Sequence, residues 1–220
     1  MKAVLFDLDY TLCDADQYYL GAFRDVSNYI QEKHGLSNEE IYKFLVNRWR
    51  EKTTSYSHLF DDLLEHLNLH NENVQTIIKI FNSHELDSEF ELYPDVIPTL
   101  RKLRSQGYKL GIVTDGNVER QMRKIQKLEL EKLIDNVTYT KNTEPKPSSI
   151  PFETALGVIK IKPSSAIYVA DNPFVDFKGA KTIGMKTARI LRGMFADITL
   201  NEHVDFTIEK LDEILKILKT

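Results

Sequence analysis

Apolar positions along the chain follow two different rhythms. Ala3 to Phe6 is a four-residue apolar run ending at Asp7, the pattern of a buried parallel strand whose C-terminal end opens into a loop. From Tyr18 to about His84 the spacing turns helical. Ser37-Asn38-Glu39-Glu40 reads as a capping box, with Ser37 accepting from the third helical N–H and Glu40 reaching back to the cap. Ile41, Phe44, Leu45 and Trp49 then fall on one helical face, and Leu59 to Leu67 and Val74 to Phe81 are amphipathic as well. These segments predict a bundle of about four helices.

Near Tyr93-Pro94 the rhythm changes again. A helix is expected over Val96 to Gln106, ended by Gly107, then a strand over Lys109 to Thr114 and a helix over about Val118 to Leu133. A short strand around Val137 to Tyr139, a helix over Ile150 to Ile159 and the apolar strand Ala166 to Ala170 follow. Beyond them come a helix near Asp176 to Ile183, strands at Thr187 to Leu191 and Phe206 to Ile208, and a closing helix. Strands alternating with helices imply α/β architecture, a doubly wound parallel sheet covered on both faces. The expected organisation is a core of residues 1–14 and 94–220 with an all-helical insert over 15–93.

Composition narrows the partners. With 220 residues, 42% hydrophobic and 28% charged, the chain has material for a packed core and no tract that reads as disordered. A net charge of −4 gives no basic footprint, so no nucleic-acid partner is expected. No window approaches the ~20 apolar residues that span a bilayer. The start MKAVLFDLD lacks the h-region of a secretory leader, so a cytoplasmic location without membrane contact is expected. Cys13 stands alone and reads as a packing residue. The six histidines show no HxH or HExxH spacing, which argues against a histidine metal site.

In open parallel sheets the strand C-termini converge on the ligand crevice, so polar residues that follow apolar strands are the candidates for chemistry. Four groups qualify: Asp7-Leu8-Asp9-Tyr10-Thr11, Thr114-Asp115-Gly116-Asn117, Lys146-Pro147, and Asp171-Asn172-Pro173-Phe174-Val175-Asp176. Each has a plainer reading. Asp115 and Asn117 suit a turn or a helix N-cap, and Asp176 suits a cap or a salt bridge. Taken alone, Lys146 between Pro145 and Pro147 reads as a solvated loop lysine. Tyr18, Tyr19, Arg48, Trp49 and Arg50 either face the crevice or pack and snorkel on their helices.

As an ordered set, the four groups resemble the motifs of the haloacid dehalogenase (HAD) superfamily: DxDxT, a Ser/Thr after the second motif strand, a Lys before a helix, and a late acidic pair. The resemblance covers the whole core, and the helical insert sits between the first and second motifs, where the family's C1 caps sit. Ala170, Asp115 and Ser148 depart from common family forms (Gly, Asn and Asp), but none of them removes a reacting group.

The resemblance implies a Rossmann-like core and a phosphatase in which Asp7 forms an aspartyl-phosphate. Asp9 would protonate the leaving oxygen and then activate water. Thr114, Asp115 and Lys146 would serve the phosphoryl group. Asp7, Asp9 (through its main-chain carbonyl) and Asp171 would hold Mg²⁺, with Asp176 meeting the metal through water or pairing with Lys146. So many carboxylates in one crevice repel one another, and a hard cation with oxygen ligands offsets that cost. The implied substrate is a small phosphorylated metabolite (a sugar phosphate, a sialic-acid-type phosphate or a nucleotide) under a cap that acts as a lid, in a monomer or homodimer. A phosphomutase of the same family stays open as an alternative. Behind it stand a phosphoacceptor signalling module, for which the insert has no obvious use, a silent binding protein, against which the complete reacting set argues, and a dehalogenase, which has no need of an acid at Asp9.

Overall fold

The computed structural model describes residues 1–53 and 56–219. The chain opens with strand β1 (Ala3–Phe6) and continues through helices α1 (Asp16–His34), α2 (Asn38–Lys52), α3 (Leu59–His66) and α4 (Val74–Ser83). Then come α5 (Val96–Ser105), β2 (Lys109–Thr114), α6 (Val118–Lys127), β3 (Asn136–Tyr139), α7 (Ile150–Ile159), β4 (Ala166–Ala170), α8 (Phe177–Thr182), β5 (Lys186–Ile190), β6 (Phe206–Ile208) and α9 (Ile214–Ile217). The chain divides into two compact units, Met1–Ala15 with Phe90–Thr220, and Asp16–Glu89. Among the described residues no helix is long and apolar enough to cross a membrane.

In the first unit six parallel strands take the order β3-β2-β1-β4-β5-β6. This is the doubly wound α/β arrangement, and its order reverses at β1, so a crevice forms outside the C-terminal ends of β1 and β4. Register fixes those ends level: Phe6 lies opposite Ile112 of β2 and Val169 of β4. Every residue of β1 and β4 is buried, as expected for central strands covered on both faces. On one face Leu5, Val113, Phe152, Tyr168 and Phe177 form a continuous apolar layer. Helix α8 approaches closely because Gly179 lacks a side chain: a Cβ there would meet the main-chain oxygens of Ser148 and Pro147, the latter at 2.7 Å.

One expected helix is shorter than its pattern. The apolar spacing runs on past Lys127, but Glu129 takes a left-handed conformation (φ 52°) and ends α6. A single 3₁₀ turn, Leu130–Lys132, then buries Leu130. The closing helix likewise begins with a 3₁₀ turn, Leu211–Glu213.

The second unit is held by aromatic packing. Phe23 stacks on Phe81 with ring centroids 5.6 Å apart, and Tyr19 stacks on Trp49 at 5.0 Å. Tyr18, fully buried, donates its hydroxyl to the Phe81 carbonyl at 2.7 Å. Arg48 pairs with Asp62 at 2.6 Å and Arg50 pairs with Asp16. At the far end of α1, Glu72 accepts from Lys33 and Tyr29 and lies 2.8 Å from the His34 ring nitrogen. The bond from Lys33, with those from His34 and Tyr29, overcomes the cost of burial and holds the Glu72 carboxyl down at about 2.

Candidate active site

The sheet delivers Asp7 directly to the crevice. Its main-chain N–H donates to the Val169 carbonyl at 2.9 Å, which extends the ladder one residue beyond β1. The chain then turns sharply: Leu12 N–H returns to the Leu8 carbonyl at 2.9 Å, and Tyr10 adopts φ 56°. A bulky residue in that region stores roughly 1–3 kcal/mol of strain, which the surroundings must impose. Gly193 contributes by leaving room for the Tyr10 ring, which a Cβ would strike. Cys13, buried within this turn, faces the Leu8 carbonyl, and burial pushes its thiol well above the usual range.

Three carboxylates, those of Asp7, Asp171 and Asp176, offer oxygens that all lie within 4.8 Å of one another. Lys146 is the cation among them, donating to Asp7 Oδ1 at 2.7 Å, to Asp176 Oδ1 at 2.6 Å and to the Tyr168 hydroxyl at 3.2 Å. The Asn172 N–H also donates to Asp176 Oδ2 at 2.9 Å. Burial pushes the Asp7 carboxyl up to about 7; the Lys146 ammonium opposes this and Asp176 adds to it. Asp171 rises well above the carboxylate range, through burial first and then the charges of Asp176 and Asp7. Lys146 resists the downward push of burial because Asp176 and Asp7 flank it, and its ammonium is strongly favoured.

One ammonium does not balance three buried carboxylates. Asp171 Oδ1 accepts from Thr11 at 3.3 Å, whereas Oδ2 is buried without a hydrogen-bond partner. Such an orphan acceptor costs about 1–3 kcal/mol or more when charged. A set of hard oxygens with one unsatisfied member fits Mg²⁺, and nothing in the donor set suits a softer metal. The loop that carries Asp171 is fixed from behind: the fully buried Arg189 donates to the Asp171 carbonyl at 3.3 Å and to those of Phe195 (2.6 Å), Ile198 (2.8 Å) and Leu200 (2.7 Å).

A second group assembles at the end of β2. Thr114, buried, accepts from Gln121 Nε2 at 2.7 Å, and the same nitrogen lies 3.3 Å from Asp9 Oδ2. Lys124 donates to Asp9 Oδ1 at 2.6 Å. Burial would raise the Asp9 carboxyl, but Lys124, with help from Arg120 and Gln121, outweighs it and holds the group below its usual value. The Asp9 carboxyl is therefore held through both oxygens by side chains of α6. Asp115 accepts from the Thr140 hydroxyl and from the Lys146 N–H at 3.3 Å, tying the β2 loop to the lysine loop. Asn117 caps α6, accepting from Arg120 N–H at 3.0 Å.

Sequence reasoning missed Gln121, Lys124, Tyr168 and Arg189. A signal for the first two was present. Helix α6 carries too few apolar residues to form a stripe, and polar Arg120, Gln121 and Lys124 share the buried side while Met122 is 40% exposed. Nothing comparable marks Tyr168, which looks like any strand aromatic.

The chain has relatives along its whole length. A glyceraldehyde 3-phosphate phosphatase from Methanocaldococcus jannaschii is 32% identical across all of this chain and 97% of its own length. A protein of the same description from Pyrococcus furiosus is 30% identical over all of this chain and 93% of its own. Among solved structures, a HAD phosphatase from Thermococcus onnurineus superposes with a TM-score of 0.73 at 26% identity, covering 99% of this chain and 98% of that one. Residues 4–190 match the family described as haloacid dehalogenase-like hydrolase, and the chain belongs to that family.

Proposed function

We propose that this protein is a Mg²⁺-dependent phosphatase that hydrolyses a small phosphate monoester through an aspartyl-phosphate on Asp7. The observation that carries this reading is the buried trio Asp7, Asp171 and Asp176 around Lys146, with one Asp171 oxygen unsatisfied. In the first step an Asp7 carboxylate oxygen bonds to phosphorus as the ester P–O bond breaks, and Asp9, which must take up a proton with the substrate because Lys124 otherwise keeps it ionised, passes that proton to the departing oxygen, releasing an alcohol. In the second, Asp9 takes a proton from water, the water oxygen bonds to phosphorus, and the Asp7–phosphorus bond breaks to release inorganic phosphate. Lys146 stabilises negative charge on the phosphoryl oxygens and Asp7, and Thr114 donates its hydroxyl to the same group. Asp115 keeps the Thr114 and Lys146 loops together. Asp7, Asp171 and the Asp9 carbonyl, with Asp176 nearby, would hold Mg²⁺, whose positive charge would admit a phosphate dianion to an acidic crevice.

We assign the helical unit as the family's cap. The archaeal relatives' description makes glyceraldehyde 3-phosphate the first substrate to test. The test is phosphate release with Mg²⁺ and with a chelator. Turnover should need the metal, and Asp7→Asn should lower it by about 10⁴-fold or more while circular dichroism stays unchanged. A near-normal rate in Asp7→Asn would reject the covalent route.

A further inference from the structure

Lysine in the last turn of a surface helix ordinarily extends to solvent along its own stem. Lys124 does the reverse: it sits in the last turn of α6, has no exposed surface, and ends 2.6 Å from Asp9 Oδ1. Burying an ammonium costs several kcal/mol, and a buried ion pair is often no more stabilising than apolar residues of the same volume. Fold stability alone therefore does not account for it. Gln121, 1% exposed and three residues earlier on the same side, holds the other Asp9 oxygen at 3.3 Å and Thr114 Oγ1 at 2.7 Å through one amide nitrogen. Both oxygens of the Asp9 carboxyl are thus held from one helix, and that helix is tied to the hydroxyl that serves the phosphoryl group.

We propose that Lys124, assisted by Gln121, is a positioning residue that fixes where the Asp9 carboxyl stands, so that it reaches the ester oxygen when it carries a proton. This rests on the phosphatase reading and adds the element that sets proton delivery. The chemistry it governs is specific. An alkoxide leaves only if a proton reaches it as the P–O bond breaks, whereas a dinitrophenolate leaves without one. Loss of the aim should therefore be felt by alkyl esters and barely by activated aryl esters.

Lys124→Met should lower kcat on glyceraldehyde 3-phosphate by about 10²-fold, within the range a general acid contributes. On 2,4-dinitrophenyl phosphate the loss should stay under about threefold. Adding Lys124→Met to Asp9→Asn should cost less than about threefold more on the alkyl ester, because the lysine acts through that carboxyl. Gln121→Met, which keeps both charges, should show the same ester selectivity at about 10-fold, and thermal unfolding of each variant checks the fold. Equal losses on the two esters, or a fully multiplicative loss in the double variant, would overturn the proposal. Silence of the unaltered enzyme on both esters would overturn the phosphatase reading itself, a separately visible result.

Discussion

Two groups of buried carboxylates in this protein shift in opposite directions. In the helical unit Glu72 has Lys33, His34 and Tyr29 around it, and its carboxyl is held at about 2. In the strand-end crevice Asp7, Asp171 and Asp176 share Lys146, and burial drives their carboxyls up, Asp7 to about 7. Burial leads the shift in the crevice, whereas the bond from Lys33 leads it at Glu72, so the two regions differ both in the cost of burial and in the supply of positive charge. Glu72 meets three donors, whereas the three crevice acids share one ammonium, and Asp171 Oδ2 has no hydrogen-bond partner.

The largest break of this contrast is Lys146→Met, which leaves the crevice acids without their ammonium. Removing one member of a buried pair costs about 3–5 kcal/mol, so a marked fall in Tm with loss of turnover is expected, the fall being smaller when Mg²⁺ is saturating. Next in size is the metal itself. Mg²⁺ at about 100 times its Kd should add about 2.7 kcal/mol to the native state, seen as a rise in Tm, and Asp171→Asn should abolish most of that rise.

The pH responses of the two regions should have opposite signs. With the metal chelated, the folded protein keeps a proton on Asp7 that the unfolded chain releases near 3.8, so stability should fall as pH rises through about 7, and Mg²⁺ should suppress that fall. Glu72 does the opposite: its contribution is complete above its ordinary value of 4.5 and is lost as pH falls through about 2. Glu72→Gln should flatten the acid limb of a Tm-versus-pH curve, the smallest of these effects, and leave the limb near neutrality unchanged.

Much of the core and the reacting set was legible because both rest on local pattern. Short apolar runs bounded by acidic or hydroxyl residues mark β1, β2 and β4, and the candidate residues follow the ends of those strands. Less was legible wherever a tertiary partner decided the outcome. The end of α6 turns on a left-handed Glu129, a conformation no propensity assigns to glutamate. Of the five cap residues weighed for a crevice role, Tyr18, Tyr19 and Trp49 pack in the aromatic core, and Arg48 and Arg50 meet Asp62 and Asp16. Gln121 and Lys124 stayed hidden because a helical pattern shows that two residues share a face, not that the face meets an aspartate from far back in the chain.

The bare Cα of Gly179 has a consequence for how such an enzyme can vary. With main-chain oxygens of Pro147 and Ser148 resting where its side chain would be, the depth at which the neighbouring ammonium enters the crevice is set by an atom that is absent. A single methyl there would act as a shim against the Pro147 and Ser148 main chain, so the seating of this helix bears on where the adjoining Lys146 stands.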